Sequence, residues 1–322
     1  MSKYRVIKLT NLSPLHIGTG RENYDFSSSS LSSDAISAAL ASIRASLGRD
    51  SDINSFLSSF TISSAFPFVG SQYFLPNLQR KINVSTADEE TYRKRLKKVK
   101  YIESSIWQKM VSGDTIAIEK NQLQKEFLVN DTTSFAQPSK SAVNQRVKVS
   151  TGESNNDPFF FEWTYFNENA GLYCIVQADD DLFTEIVRLF TLLGSEGIGT
   201  DKNIGGGKFN IDVAEIVLDE PNNANAQVLL STYIPTKDEI QNLNIDNSAY
   251  ELILRNGYMA GSTIESLRHL RKKSIYMFNS GSVFATTQQL NGKIVNLAPD
   301  WNDERLHPVY RSGRPLCFKI KI

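Results

Sequence analysis

Residues 194–210 read GSEGIGTDKNIGGGKFN, a stretch with six glycines in fourteen positions and two lysines, Lys202 and Lys208. It follows an apolar, helix-like segment, DDLFTEIVRLFTLLG, and precedes a strand-like one, KFNIDVAEIVL. Glycine is required where φ is positive or where another molecule packs against the main chain. Residues 194–208, called the glycine loop below, are therefore expected to meet a nucleotide phosphate or a nucleic-acid backbone, or to be a plain connection.

Nucleotide-binding fingerprints do not fit the glycine loop. The position that the dinucleotide fingerprint reserves for its third glycine is Lys202. A P-loop needs serine or threonine after its Gly-Lys pair, whereas Phe209 follows residues 207–208. Dinucleotide binding and ATP hydrolysis therefore both lose their main support.

Length and composition favour a two-domain protein of a reducing cytoplasm. The chain has 322 residues, long for one domain, and its two cysteines, Cys174 and Cys317, lie far apart without a CxxC motif. The N-terminal MSKYRVIKLTNL alternates like a strand, and no apolar run approaches the roughly 20 residues that span a bilayer. We expect a soluble, cytoplasmic protein without a membrane partner.

The charge is polarised along the chain although the formal net charge is zero. The net charge is +7 for residues 1–150, −13 for 151–250 and +6 for 251–322. Local patches steer association more than net charge does, so this pattern suits basic surface for one partner and acidic surface for another. The alternative is that the three blocks mix in space.

The first half of the chain predicts an α+β order of elements. Residues 3–12 are predicted to form a strand. The stretch SSDAISAALASIRASLG predicts a helix that is capped by Ser33 or Asp34 and ends at Gly48. The stretch FTISSAFPFVGSQYFLP predicts two short strands. The charged run DEETYRKRLKKVKYIESSIWQKM predicts a helical insertion over about residues 88–112. Its basic part, residues 93–100, is either a solvated helix face or a contact with RNA or a subunit.

A protruding β-hairpin over about residues 131–166 is predicted from SAVNQRVKVST and its answering strand FFFEWTYF. A strand, an amphipathic helix and a last strand follow, giving residues 1–218 the order of a ferredoxin-like, or RNA-recognition-like, domain. DEPNNANA predicts a linker at 219–225. Five further strand-like runs predict a second, smaller ferredoxin-like domain at 226–322.

Few residues suit catalysis. The only histidines are His16, His269 and His307, none in a metal-binding arrangement, so neither metal nor cofactor is expected. Residues 179–181 are three aspartates that favour helix capping over a magnesium site. His16 ends the first strand, where it is either a structural histidine or the general base of a metal-independent ribonuclease.

RNA binding has better support at two places. Lys202 and Lys208 flank the amides of residues 205–207, which phosphates can approach unless the loop is only a connection. On the hairpin, Arg146 and Lys148 share a face with Asn144 two residues earlier. These side chains either clamp a nucleic-acid backbone or keep an exposed ribbon soluble.

Several stretches, in chain order, resemble the RAMP-type subunits of CRISPR effector complexes, and within them the fourth subunit of the type III-A Csm complex. They are LHIGTG, SSDAISAAL, SSAFPFVGSQYFLPN, VNQRVKVSTGES, GIGTDKNIGGGKF, LSTYIP and HPVYRSGRPL. The glycine loop marks the superfamily, whereas SAFPF with HPVYRSG is typical of this subunit. Ser33 stands where the family often has histidine, and Lys202 where arginine is common.

The resemblance implies a non-catalytic subunit that holds the 5′ handle of the CRISPR RNA. It would join the large polymerase-like subunit to the backbone subunits, with the hairpin as a thumb that wedges into the guide–target duplex. Carried over by position, the RNA-binding residues are His16, Ser33, Asp34, Asn144, Arg146, Lys148, Gly197, Gly199, Lys202, Gly205, Gly206, Gly207 and Lys208. The alternative is an endoribonuclease of the same fold that trims CRISPR RNA precursors with His16.

Overall fold

The computed structural model describes residues 2–18, 24–28, 30–81, 84–85, 89–147, 158–259 and 261–322. These residues form six α-helices, with 3-10 turns at Lys120–Gln122, Lys202–Ile204 and Glu265–Leu267. The helices are α1 (Ser33–Ser46), α2 (Ile53–Ser58), α3 (Glu89–Leu96), α4 (Ser104–Val111), α5 (Asp180–Glu196) and α6 (Lys237–Asn242). Across these ranges, no helix is long and apolar enough to cross a membrane.

Strands make up much of the described chain. They are β1 (Ser2–Thr10), β2 (Thr61–Ile62), β3 (Phe66–Val69), β4 (Gln72–Pro76), β5 (Val84–Ser85), β6 (Tyr101–Glu103), β7 (Ile116–Ala117), β8 (Leu123–Gln124), β9 (Phe127–Leu128), β10 (Ser139–Val147), β11 (Pro158–Phe166), β12 (Ala170–Gln177), β13 (Asn210–Leu218), β14 (Ala226–Leu229), β15 (Leu252–Arg255), β16 (Ile275–Phe278), β17 (Val283–Phe284), β18 (Ile294–Asn296), β19 (Tyr310–Ser312) and β20 (Cys317–Ile320). Strands and helices together give a mixed α+β fold, as predicted.

The largest sheet has the strand order β13-β1-β12-β3-β4-β6-β9-β8, with β2 paired to β12. Its first four strands are antiparallel to their neighbours, and β1 pairs with β13 over its full length. β1 lies between two partner strands, and its side chains Val6 on one face and Ile7 and Leu9 on the other are fully buried because apolar layers cover both faces of the sheet. The predicted order of strand, helix, strands, helix and strand is confirmed through Leu218.

Each face of this sheet has its own apolar core. On one face, side chains of α1, α2 and α5 pack with Ile7 and Leu9. On the other face, Val6 packs with α4 and with β14 and β20 from the second half of the chain. The ring of Trp107 in α4 lies 5.0 Å from that of Phe318 in β20. The two halves therefore share a core, and the domain boundary at residues 219–225 stays a prediction.

The predicted helical insertion over about residues 88–112 contains two helices with a strand between them. Helices α3 and α4 are separated by β6, which pairs with β4 and β9. Tyr101 and Ile102 of β6 are buried in the sheet. Pairing with strands distant in sequence therefore overrides the helical propensity of the charged flanks.

The second half has less regular structure than predicted. Among the described residues after Leu218, strands pair as β17-β14-β20, β15-β16 and β18-β19, and the one α-helix, α6, has six residues. Each predicted strand run contains a strand, but these residues do not form one four-stranded sheet. A second ferredoxin-like domain is therefore not confirmed.

The start of α1 is built differently from the sequence expectation. Ser32 is the N-cap residue, and it makes no side-chain capping bond. The predicted capping by Ser33 or Asp34 was wrong, because both side chains bind residues of the second half. By contrast, Asp179 caps α5 by accepting a hydrogen bond from the Leu182 amide at 2.8 Å, which confirms capping in the acidic run.

Candidate nucleic-acid interface

The glycine loop connects the end of α5 to β13 and is fastened to the segment after β1. The Ser13 amide donates to the Lys208 carbonyl at 2.8 Å, and the Lys208 amide donates to Ser13 Oγ at 2.7 Å. Ser13 Oγ also donates to the Gly205 carbonyl at 2.8 Å. Three bonds to one serine thus fix the far end of the loop.

Most glycines of the loop are required by the protein's own backbone. A Cβ on Gly207, where φ is +66°, would lie 1.8 Å from the Ile198 carbonyl oxygen. A Cβ on Gly199, where φ is +92°, would lie 2.4 Å from the His16 carbonyl oxygen. At these positions the close neighbour is the chain itself, so they do not indicate a ligand.

The expected row of free amides is absent from residues 205–207. The amides of Gly205, Gly206 and Gly207 donate to the carbonyls of Lys202, Asp201 and Pro14 at 3.0, 3.2 and 2.9 Å. The prediction that these amides receive phosphates was therefore wrong. The 3-10 turn and the Ser13–Pro14 segment satisfy them first.

One part of the loop remains open. A Cβ on Gly205 would have no atom within 4 Å, and the neighbouring Ile204 is 66% exposed. Lys202 and Lys208 are exposed, and neither forms an ion pair with another described residue. This part, residues 202–208, offers two unneutralised cations beside a backbone that a ligand can reach.

The paired strands β10 and β11, called the hairpin base below, pack against the glycine loop. β10 and β11 pair over nine residues each, and the register places Arg146 opposite Phe159 and Asn144 opposite Phe161. Asn144 and Arg146 therefore share a face, as predicted. Lys148 and the hairpin tip lie outside the described residues.

Arg146 is paired within the protein. Its Nη1 donates to Asp201 Oδ2 at 2.6 Å, and the guanidinium lies 4.3 Å from the Phe161 ring centroid and 5.2 Å from that of Trp163. The Trp163 ring also fills the space above Gly206, where a Cβ would lie 2.7 Å from it. Arg146 thus joins the hairpin to the glycine loop instead of presenting a free charge.

His16 lies beneath the hairpin base and is 1% exposed. Its Nδ1 donates to the Glu162 carbonyl at 2.7 Å, and its ring centroid lies 4.4 Å from that of Phe161. Nε2 is buried without a hydrogen-bond partner among the described residues. His16 is therefore held in one orientation by the hairpin.

Ser33 and Asp34 do not belong to this surface. Ser33 Oγ accepts from the Thr232 amide at 2.8 Å, and Asp34 is fully buried between Arg255 and Arg311. Burial acts to raise the pKa of Asp34, but the two arginines outweigh it and hold that pKa below its usual value. The burial of these two side chains contradicts the prediction that they contact RNA directly.

Sequence reasoning missed Ser13, Asp201 and Trp163. The alternation in FFFEWTYF was a usable signal, because it places Phe161 and Trp163 on one face of the hairpin strand. No pattern pointed to Ser13 or Asp201, since their partners are remote in sequence. Arg255 and Arg311 were missed for the same reason, although HPVYRSG contains Arg311.

The sequence and the fold both resemble known proteins. Residues 222–320 match the CRISPR Csm4 C-terminal domain. Two relatives are named CRISPR system Cms protein Csm4. The relative from Mycobacterium tuberculosis is 26% identical over 266 residues, covering 82% of this chain and 80% of the relative. The relative from Streptococcus thermophilus is 26% identical over 328 residues, covering 95% and 96%. The chain thus carries a match to the Csm4 C-terminal domain and is similar to proteins named Csm4 over most of its length.

Solved structures agree with the Csm4-family fold. A chain of a Csm1–Csm4 cassette in complex with cA4 superposes with a TM-score of 0.63 at 18% identity, covering 100% of this chain and 99% of that one. A chain of the Csm3–Csm4 subcomplex of a type III-A CRISPR-Cas interference complex gives 0.60 at 18% identity, covering 99% and 100%. The mixed α+β fold is thus that of solved Csm4-family structures.

Proposed function

We propose that this chain is the non-catalytic subunit of a type III-A CRISPR effector complex that binds the 5′ handle of the CRISPR RNA. It joins the large polymerase-like subunit to the backbone subunits. The observation that carries the proposal is the open part of the glycine loop, where Lys202 and Lys208 flank a reachable Gly205. Charged side chains and an accessible main chain position a nucleic-acid backbone without reading its sequence.

The details of the loop change how the RNA is held. Because the amides of residues 205–207 are bonded within the protein, the phosphates are held by the two lysine side chains. The exposed side chain of Ile204 stands between the lysines in sequence and offers apolar surface for a base or sugar. The proposed site therefore holds phosphates through lysine side chains, whereas a P-loop holds them through backbone amides.

The fold supports the same proposal. Four antiparallel strands in the order β13-β1-β12-β3, with α1 and α5 on one face, have the topology of a ferredoxin-like domain. The hairpin of β10 and β11 is then the thumb. Its exposed Val143, Val147 and Phe160 give it apolar surface suited to lie against bases of the guide–target duplex or against a neighbouring subunit.

Partners are proposed from the similar structures. One contains a Csm1–Csm4 cassette and another a Csm3–Csm4 subcomplex. By likeness, this chain contacts a large subunit and a backbone subunit. The acidic middle of the chain, with the exposed Asp180 and Asp181, would face one of these proteins and not the RNA.

The ribonuclease alternative depends on His16 and is weakened by its surroundings. A general base must come within hydrogen-bond reach of the proton that it abstracts, whereas His16 is almost completely buried. Incubating the purified protein with repeat RNA in the absence of metal tests this directly. Cleavage that a His16→Ala variant loses would replace the proposed function by the alternative.

The binding proposal is tested by measuring affinity for handle RNA across a salt series. Lys202→Ala and Lys208→Ala should each weaken binding and lower the salt slope by about 0.7, the value for one single-strand phosphate contact. Lys237→Ala, an exposed lysine on α6, is the matched control and should change neither quantity. Unchanged affinity and slope in both loop variants would exclude the loop as the RNA site.

A further inference from the structure

A second group of cations lies where the N-terminus of α1 meets the second half of the chain. Asp34 Oδ2 accepts a hydrogen bond from Arg255 Nε at 2.9 Å and another from Arg311 Nη1 at 2.7 Å. Lys272 is close enough for all three charges to act on its pKa. Arg255, Lys272 and Arg311 are called the cation cluster below.

Among the described residues, the cation cluster carries more positive charge than its ion pairs with Asp34 neutralise. Its three positive charges lie near one carboxylate, that of Asp34. Among the described residues, no other acidic side chain shifts the pKa of Lys272 or of Arg311. Arg311 is 6% exposed and Asp34 fully buried. Burying charge without a counter-charge is costly, so an excess of two positive charges at such a place needs an explanation.

Two further features show that the cluster is incomplete. Arg311 Nε is buried and has no acceptor among the described residues, although each N–H of a buried guanidinium normally finds one. Burial, and then the positive charges of Arg311 and Arg255, lower the pKa of Lys272 to about 8. A bound anion would supply the missing acceptor and would raise the pKa of Lys272 back toward its usual value.

We propose that the cation cluster is a phosphate-binding site and that a backbone phosphate of RNA occupies it. Two guanidiniums that share Asp34 Oδ2, with an ammonium near enough for their charges to act on it, suit a tetrahedral anion with several acceptor oxygens. Asp34 is then a positioning residue, because it holds both guanidiniums while Arg255 and Lys272 remain partly exposed to an incoming ligand.

RNA is favoured over a small anion by the surroundings of the cluster. The exposed Arg268 and Arg271 lie in the same segment as Lys272, and the Arg271 guanidinium lies 5.0 Å from the Tyr258 ring centroid. Exposed cations with an aromatic ring among them suit a nucleic-acid strand. Only the identity of the phosphate donor rests on the function proposed above; the phosphate site itself does not.

The phosphate site is tested first without RNA, on the full-length chain. Inorganic phosphate, titrated against chloride at constant ionic strength, should raise the melting temperature of the wild type and of Lys273→Met, a lysine next to the cluster that pairs with Asp300. Lys272→Met should lose most of that rise, measured from its own baseline, and Lys272→Arg should keep it. A wild type that phosphate does not stabilise, or an equal rise in Lys272→Met, would overturn the site.

A second readout is proton uptake. Because the pKa of Lys272 is about 8, phosphate binding at pH 8 should be accompanied by uptake of a fraction of a proton. Calorimetry in buffers of different ionisation enthalpy measures that fraction. The uptake should disappear in Lys272→Met, and its persistence there would contradict the assignment of Lys272.

The RNA arm identifies the donor. Lys272→Met should weaken binding of handle RNA and lower the salt slope by about 0.7, whereas Lys237→Met should not. Phosphate binding with unchanged RNA affinity would limit the site to free phosphate and overturn the RNA assignment. Unchanged RNA affinity together with lost co-purification of a protein subunit would assign the cluster to an acidic protein instead. If Lys208→Ala lost RNA binding and Lys272→Met did not, the proposed function would stand and the assignment of RNA to the cation cluster would be refuted.

Discussion

Replacing Lys272 by methionine is expected to stabilise the protein at neutral pH in the absence of ligand. The fold lowers the pKa of Lys272 from 10.5 to about 8, so keeping this ammonium charged in the folded state costs free energy. At about 1.4 kcal/mol per pH unit, that difference corresponds to at most about 3.5 kcal/mol. Methionine keeps the apolar part of the lysine stem, so a gain of about 1–3 kcal/mol is expected in the free energy of unfolding.

The gain should depend on pH in a defined direction. Between about pH 8 and 10.5 the unfolded chain binds more protons at Lys272 than the folded chain does, so the stability of the wild type rises with pH there. The difference between wild type and variant is therefore largest at pH 7 and declines above pH 8. Urea denaturation of both proteins at pH 7 and pH 9.5 measures it.

A matched control separates this effect from a general loss of charge. Lys273→Met removes the neighbouring exposed lysine and its ion pair with Asp300, which should change stability by about 0.5 kcal/mol at most. If Lys272→Met were no more stable than the wild type at pH 7, the reasoning about the cation cluster would be wrong. Equal gains in stability in Lys272→Met and Lys273→Met would also contradict that reasoning.

Four further substitutions have expected outcomes that denaturation and thermal melts can check. Gly207→Ala should prevent stable folding, because its Cβ would lie 1.8 Å from a carbonyl oxygen, whereas Gly205→Ala, with open space around it, should cost only the about 1–2 kcal/mol of a left-handed alanine. Arg146→Ala should destabilise the protein by about 1–2 kcal/mol through loss of its contacts with Asp201 and two rings, and unchanged stability would mean that the hairpin base is not held there. Asp34→Asn should lower the free energy of unfolding by about 3–5 kcal/mol at pH 7. Because the fold lowers the pKa of Asp34, this difference should shrink as the pH falls below about 4. A difference that does not change with pH would contradict the ion pairs.

The architecture of the first half was predictable because its signals are local. Alternating apolar residues gave β1 and both hairpin strands, and helical periodicity gave α1 and α5. The prediction of a helical insertion missed β6, because this strand is specified by pairing with strands distant in sequence. The second half failed for a related reason, since strands of two to four residues carry too little pattern to specify which strands pair.

The glycine loop shows what composition predicts and what it leaves open. Composition identified a place where side chains must be absent, and the structure agrees at Gly199 and Gly207. Composition did not reveal that the close neighbours there are the chain's own carbonyls. A side chain at position 206 would clash with the Trp163 ring, so Gly205 is the better position for testing whether RNA approaches the backbone.

The two buried site residues illustrate a different limit. Ser33 and Asp34 were assigned to RNA because they start a helix at the family's position. Their partners, Thr232, Arg255 and Arg311, lie about 200 or more residues later in the chain. No local pattern encodes such pairs, so the cation cluster became visible only in the folded protein.

The central claim, that RNA lies along the open part of the glycine loop, is tested most directly by ultraviolet crosslinking of CRISPR RNA to the assembled complex. Mass spectrometry then locates the crosslinked peptides of this chain. The account predicts crosslinks from the 5′ handle to residues 202–208 and to the hairpin base around Phe161 and Trp163. Handle crosslinks confined to the acidic helix α5, or their absence from residues 202–208, would contradict it.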